Sequence, residues 1–341
     1  MNEKAKVTHR GAILLGNSTA CDAYEKNRPL RVVTHAHADH TTGLRWSLRE
    51  CQKVLMTKAT RDLIDVLEGP FGHRMKNIET LEYGKTLRFD GERVTLHKAQ
   101  HILGAAQVLV EAEDGERLGW TGDFKLDGTP PILECDTLVV ESTYGSPSCK
   151  RSFDVDVRRL LVDMIEKRLK DGNVYVFGYH GKLQEIMQIL QQADVTVPFV
   201  MPEKVYHVSK VCEQHGMQLG CLTLSTERQA KSLLEENLPC VAFYHMNSRG
   251  KVGLNNERIY VSGWEFHKPC RRVGEKEHIV ALSDHSDFNG LIEYVRQAKP
   301  KQVITDNHGG GHGETLAKEI KRRLGIPAVA MPCKSYQSTF S

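Results

Sequence analysis

Short apolar runs separated by turn residues fill the first third of the chain: Leu30 to Thr34, Val54 to Thr57, Val94 to His97, Ala106 to Glu111, Leu118 to Thr121 and Thr137 to Glu141. Their length and β-branched content predict strands, with one helix, Thr60 to Leu67, among them. From Ser152 the period lengthens. Val157, Leu160, Leu161, Met164, Ile165 and Leu169 recur at helical spacing behind Ser152 or Asp154 as the cap, and Gly172 ends the run. A strand from Val174 to Phe177, Gly178 and a helix from about Lys182 to Gln192 then predict a parallel α/β unit. Two more strands, Val241 to Tyr244 and Arg258 to Ser262, lead to a loop rich in Lys and Arg. The C-terminal part alternates again, with strand Ile279 to Leu282, helix Gly290 to Ala298, strand Val303 to Thr305 and helix Thr315 to Leu324. The pattern predicts a compact α/β segment inserted in a β-rich domain.

Composition narrows the class without naming a function. With 40% hydrophobic and 26% charged residues over 341 positions, the chain is neither disordered nor collagen-like. No run approaches the ~20 consecutive apolar residues of a membrane helix, and the apolar stretch near the N-terminus is too short for a signal peptide. The expected location is the cytoplasm, and no membrane partner is expected. Basic and acidic residues nearly cancel (46 against 43), so a surface for a polyanion has to be local. Nine cysteines without a Cys-x-x-Cys pair argue against both a disulfide framework and a zinc ribbon.

Where the sixteen histidines fall is more informative. Residues 34 to 40 read Thr-His-Ala-His-Ala-Asp-His directly after an apolar strand. A turn there can aim His35, His37, Asp39 and His40 at one point, supplying the imidazole nitrogens and carboxylate oxygen that Zn²⁺ favours. His101 and Asp123 lie in loops bounding other strands. Together these residues offer donors for two metals, with Asp123 as the natural bridge because a carboxylate can give one oxygen to each ion.

This pattern resembles the metallo-β-lactamase superfamily. The resemblance implies His35, His37 and His101 on one metal, Asp39 and His40 on the other, Asp123 between them, and two zinc ions per chain. Asp22 is the candidate for an anchoring aspartate behind the ligands. Val-Val-Glu-Ser-Thr-Tyr-Gly (139 to 145), Leu-Ser-Asp-His-Ser-Asp (282 to 287) and the His-Gly pairs at 308 and 312 further resemble motifs A, B and C of the β-CASP nucleases. This second resemblance implies an αββα sandwich built from residues 1–145 and 275–341, with residues 146–274 inserted as an α/β cap and the site in the cleft between them. Glu141 is suited to hold the His285 imidazole in one tautomer near the metals. His285 would then donate a proton to the leaving oxygen while a metal-bridging hydroxide attacks phosphorus.

Motif C departs from the family pattern. His308 has the better distance from the preceding strand, His312 carries the His-Gly-Glu wording, and the preferred ligand is His308 with one of the pair a bystander. Gly309 to Gly311 serve either a close phosphate approach or a turn. A histidine at motif C and Glu-Ser-Thr-Tyr-Gly at motif A look like the RNA-processing branch. The length and motif B resemble equally well the exonuclease-like proteins associated with DNA ligases. Single-stranded RNA is therefore the favoured substrate over DNA, and a homodimer is left open. Lys268, Arg271 and Arg272 form a local basic stretch with Lys276, read either as a phosphate-binding surface or as a solvated loop countered by Glu275 and Glu277. Lys182, with His180, starts a helix where it would contact a phosphate or serve the turn. The rivals are a small-molecule hydrolase, which has no use for Glu141 and His285, and a catalytically silent processing subunit.

Overall fold

The computed structural model describes residues 4–69, 76–153, 155–253 and 255–333. Its Cα packing divides the chain into two compact units, one drawn from Met1–Arg61, Phe71–Lys150 and His285–Ser341, the other from Asp62–Pro70 and Arg151–Asp284. The divisions follow Lys150 and Asp284, later than the 145 and 274 expected from the sequence, and residues 62–70 group with the inserted segment.

The first unit is a sandwich of two sheets. In one, Ala5–Val7, Ile13–Leu15 and Thr19–Cys21 run antiparallel, and Thr19–Cys21, Leu30–Val32, Lys53–Met56 and Ile78–Thr80 continue in parallel. In the other, Thr86–Phe89, Glu92–Lys98, Ala106–Glu111 and Arg117–Trp120 form an antiparallel meander. It passes into the parallel strands Thr137–Val140, Gln302–Asp306 and Ala328–Met331. Alternation along these strands sends Val7, Ile13, Leu15, Leu30, Val32 and Leu55 against Val94, Leu96, Val108, Val110, Leu118 and Ile304, all buried. Each such side chain contributes roughly 1.5–3 kcal/mol by leaving water. Helix Leu44–Glu50 packs on strand Lys53–Met56, and helix Gly313–Leu324 covers strands Gln302–Asp306 and Ala328–Met331. The layers are thus α, β, β and α, as the resemblance implies.

The second unit has one seven-stranded sheet, parallel except where Cys270–Arg272 pairs antiparallel with Glu277–Val280. In helix Val157–Leu169, Leu161, Ile165 and Leu169 form the buried stripe. The cap is neither of the residues expected. Asp156 accepts from the Arg158 and Arg159 amides at 3.0 and 3.2 Å, because its carboxylate stands one residue before the first helical turn. The Ser152 hydroxyl instead donates to the Phe266 carbonyl, and Asp154 lies outside the described residues. Among the described residues, no helix is long and apolar enough to cross a membrane.

Candidate metal centre

Of the four predicted donors in residues 35 to 40, His35, His37 and His40 lie close together because the chain turns tightly after strand Leu30–Val32. The amides of His40 and Thr41 both donate to the His37 carbonyl. Arg31 fixes this turn from below: its buried guanidinium donates to the carbonyls of Asp22, His40 and Thr42 and to the Ser47 hydroxyl. Burial lowers the Arg31 pKa to about 10, the neighbouring Asp22 opposing the shift. Nothing in the sequence distinguishes this arginine from an ordinary strand residue. The two sheets are tied at the same place by the Ala106 amide donating to the Thr34 carbonyl.

Around this turn, donor atoms from distant elements gather. His101 Nε2 is 3.0 Å from His37 Nδ1. Asp123 Oδ2 is 3.2 Å from His40 Nε2, 3.8 Å from His35 Nε2 and 3.9 Å from both His101 Nε2 and His285 Nε2. Donors about 2.1 Å from a tetrahedral ion lie roughly 3.4 Å from one another, a value these separations bracket. The donors of His35, His37 and His101 form one group, those of His35, His40 and Asp123 a second, and those of Asp123, Glu141 and His285 a third. Asp39 belongs to none of the three; its carboxylate is 3.7 Å from His40 Nε2 and its side chain is 79% exposed.

Gly122 places Asp123. Its φ is +57°, and a Cβ there would stand 2.8 Å from the Ala106 carbonyl oxygen, so only glycine fits without moving the loop.

A metal suits these residues. His35 Nε2 is buried without a hydrogen-bond partner, which is costly for an imidazole nitrogen unless an ion takes its lone pair. Thr34 Oγ1, 3.1 Å from His35 Nδ1, leaves Nε2 facing the cluster. Burial, reinforced by His40, His101 and His37, holds the His35 pKa well below its ordinary value, so the ring is neutral and able to ligate. His40 shifts the other way: burial disfavours its charge, but Asp123 and Asp22 outweigh that and hold it well above the ordinary value.

Asp22 is the anchor the sequence points to. Oδ2 is 3.0 Å from His40 Nδ1 and accepts from Trp120 Nε1 at 2.7 Å, while Oδ1 accepts from the Thr34 amide and hydroxyl at 2.9 and 2.8 Å. Replacing Asp22 by Ala is expected to weaken metal retention by about 10- to 100-fold, the usual loss when the group orienting a ligand is removed. Chelator competition followed by metal analysis measures this. Unchanged retention would mean that His40 is oriented by something else.

Glu141 and His285, brought together from the ends of different segments, form a pair. His285 Nδ1 lies 3.1 and 3.2 Å from the two carboxylate oxygens of Glu141. The buried carboxylate also accepts from the amides of Phe124 and Thr143. The Ser286 amide donates to the Phe124 carbonyl at 2.7 Å, so the His285 loop rests on the Asp123 loop.

Neither motif C histidine joins a donor group. His308 is exposed, with its ring over Gly11, where a Cβ would come within 2.5 Å of Nδ1. The His312 amide donates to the Ser142 carbonyl and the residue caps helix Gly313–Leu324. In the glycine segment a Cβ at Gly311 would meet the Ser142 carbonyl oxygen at 2.7 Å, whereas Gly309 and Gly310 have open space around them.

In the second unit the predicted substrate contacts are partly engaged with protein. Lys182 is buried, 6% exposed, and donates to Asp284 Oδ1 at 2.7 Å, so its charge is met within the protein instead of being presented to a phosphate. Arg271 pairs with Glu265 at 2.7 Å, a partner other than the Glu275 and Glu277 of the solvated-loop reading. Arg272 donates to the carbonyls of Gly274 and Glu275, and Lys268 is exposed. The stretch is a strand edge, not a free loop, because Cys270–Arg272 pairs with Glu277–Val280.

The sandwich, the converging histidines and the aspartate among them define a metallo-hydrolase. The model of the beta-lactamase superfamily domain matches residues 21–176, and that of the Zn-dependent metallo-hydrolase RNA specificity domain matches residues 271–332. An RNase J-like protein of Methanocaldococcus jannaschii is 30% identical, the match covering 94% of this chain and 92% of that protein. With these motifs in this order, the chain belongs to the β-CASP family of the metallo-β-lactamase superfamily. A probable DNA ligase of Opitutus terrae is 25% identical over 88% of this chain but only 28% of its own length. The transcription termination factor FttA of Thermococcus kodakarensis is 28% identical over 86% of this chain and 59% of its length.

Proposed function

We propose that the chain is a zinc-dependent phosphodiesterase that cleaves single-stranded nucleic acid, with RNA the first choice of substrate. The observation that carries this reading is the Glu141–His285 pair, whose Nε2 faces Asp123 at 3.9 Å. A hydrolase of small thioesters or lactones needs the metal ligands but not a second histidine braced by a buried carboxylate. When bound, zinc supplies Lewis-acid polarisation of a phosphoryl oxygen and activation of the attacking water at neutral pH.

The protein's own residues do the rest. His35, His37, His101, His40 and Asp123 would hold the ions, with Asp39, exposed 3.7 Å from His40 Nε2, the further carboxylate nearby. Glu141 accepts from His285 Nδ1 and so stabilises the imidazolium, whose Nε2 proton goes to the leaving oxygen. Lys268 and Arg272 offer charge to the polyanion at the strand edge of the second unit.

RNA is favoured by the match over nearly the full length of both chains to an RNase J-like protein, together with the RNA specificity domain model. DNA is the second reading, favoured by the match to a segment of a probable DNA ligase. Incubation of the purified protein with end-labelled single-stranded RNA and DNA of matched sequence tests both. The expected result is a zinc-dependent ladder, stronger on RNA. Cleavage of DNA alone would select the second reading, and cleavage of neither would remove the nuclease assignment.

A further inference from the structure

Two aromatic side chains that the core does not use stand at one edge of the second unit's sheet. Tyr179 is 53% and Trp264 55% exposed. Strand Val174–Gly178 lies between Val241–His245 and Glu257–Val261, parallel to both, with Gly178 level with His245 and Phe177 level with Tyr260. Tyr179 therefore follows the carboxyl end of the central strand, and Trp264 that of its neighbour. From Val174–Gly178 the chain continues to Phe199–Met201 on one side, and from Val241–His245 to Glu257–Val261 on the other. Where the connections of a parallel sheet part in this way, the carboxyl ends of the strands border a crevice that takes ligands.

Each exposed ring is propped by a second one. Tyr179 meets His245 edge to face, with centroids 5.2 Å apart and planes at 83°, and Trp264 meets Phe266 in the same manner at 6.3 Å and 85°. An edge-to-face contact covers at most one face of a ring, so half-exposed Tyr179 keeps a face for a flat ligand. The supports are themselves fixed. His245 Nδ1 accepts from the Asn247 amide at 3.3 Å. In the turn at 262–266 the Trp264 amide donates to the Ser262 hydroxyl, the Arg151 guanidinium to the Gly263 carbonyl and the Ser152 amide to the Phe266 carbonyl. Positive charge reaches the same edge. The Ala281 amide donates to the Pro269 carbonyl and Cys270 pairs with Val280, which carries exposed Lys268 to the carboxyl end of strand Glu277–Val280, next in the sheet after Glu257–Val261. Glu265, the acid between Trp264 and Lys268, is met by Arg271.

We propose that Tyr179 and Trp264 form a base-stacking platform for single-stranded nucleic acid, with Lys268 on the phosphates beside it. Exposed aromatic faces with a cation alongside engage the bases and phosphates of a single strand, whereas a duplex hides its base faces. The inference rests on the nuclease reading and deepens it: the strand is held through its bases without regard to their identity, because every base has a face to stack.

Anisotropy of a fluorescently labelled single-stranded RNA with cleavage-resistant phosphorothioate linkages, titrated with the zinc-loaded protein, tests this beside an abasic strand of equal length. Tyr179→Ala and Trp264→Ala are each expected to weaken binding of the base-bearing strand by about 5- to 100-fold, the loss of one stacked base, and to leave binding of the abasic strand unchanged. Tyr179→Phe and Trp264→Phe retain an aromatic face and are expected to bind as wild type does. Tyr179→Leu and Trp264→Leu keep apolar bulk without that face, and take the place of an alanine variant that does not fold. Lys268→Ala is expected to weaken both strands and to lower the logarithmic salt slope by about 0.7; an unchanged slope would overturn the part given to Lys268. Alanine and leucine variants that bind the base-bearing strand as wild type does, or that lose both strands equally, would overturn the platform while sparing the nuclease reading. So would phenylalanine variants as weak as the alanine ones. Wild type that neither binds nor cleaves a single strand would overturn both.

Discussion

Asp123→Ala is expected to drop bound zinc from about two ions per chain to one or fewer and to lower cleavage by about 10³-fold or more. The size of the effect follows from geometry. One oxygen, Oδ2, lies within 3.2 to 3.9 Å of His40, His35, His101 and His285, so a single truncation removes an oxygen that stands beside the proposed ligands of both ions. The carboxylate is held well below its usual pKa. Burial works against this, and His40, His285 and His35 overcome it. Its removal leaves His40 with Asp22 as its principal countercharge and several buried imidazoles without a common acceptor. Elemental analysis and end-labelled cleavage measure the two parts separately. Two retained ions would show that Asp123 is not the bridge; full activity with one ion would remove the two-metal mechanism.

The legible parts of the site are those whose chemistry is local in sequence. His35, His37, Asp39 and His40 crowd into six residues, a density of donor side chains that a solvated surface turn has no reason to carry. Asp22 is visible as a candidate, though only the fold shows that it serves His40, Thr34 and Trp120 at once. Arg31 is not visible. Its role depends on residues 40 to 47, a turn and the start of helix Leu44–Glu50, folding back over the strand, and an arginine inside an apolar run carries no mark of that. Motif C is read from its wording alone, whereas the fold leaves His308 exposed over Gly11 and His312 at the start of a helix.

The fold is legible where runs are long. Predicted strands such as Ala106–Glu111, and the helix Lys182–Gln192, appear at the expected positions. Three-residue strands such as Ala5–Val7, Thr19–Cys21 and Cys270–Arg272 are too short to establish a period of two and are stabilised by neighbours, not by their own pattern. Helix Glu203–Gln214 escapes the sequence pattern although Val205, Val208 and Val211 lie on one face, because β-branched residues weigh toward strand when read alone. Lys182 shows the limit for binding residues: a lysine at a helix start suggests a phosphate, and only the fold reveals Asp284 already within 2.7 Å.

His285→Ala is expected to keep the fold and both metal ions but to reduce cleavage by about 10²- to 10⁴-fold, the usual contribution of a positioned general acid. The metal groups retain His35, His37, His40, His101 and Asp123 without it, and the Ser286 bonds that seat the loop on Phe124 and Leu126 use other atoms. Glu141→Gln tests the same assignment from behind. The amide preserves shape, and its oxygen can still accept from His285 Nδ1, but it no longer stabilises the imidazolium. Cleavage should therefore fall while the bound metal is unchanged, which rate measurements and elemental analysis on the same preparation separate. An unaltered rate in His285→Ala at full metal occupancy would remove His285 from the chemistry. Activity restored to His285→Ala by a substrate with a better leaving group would place its action at the departing oxygen; Nε2, on the side of the ring away from Glu141, faces Asp123 at 3.9 Å.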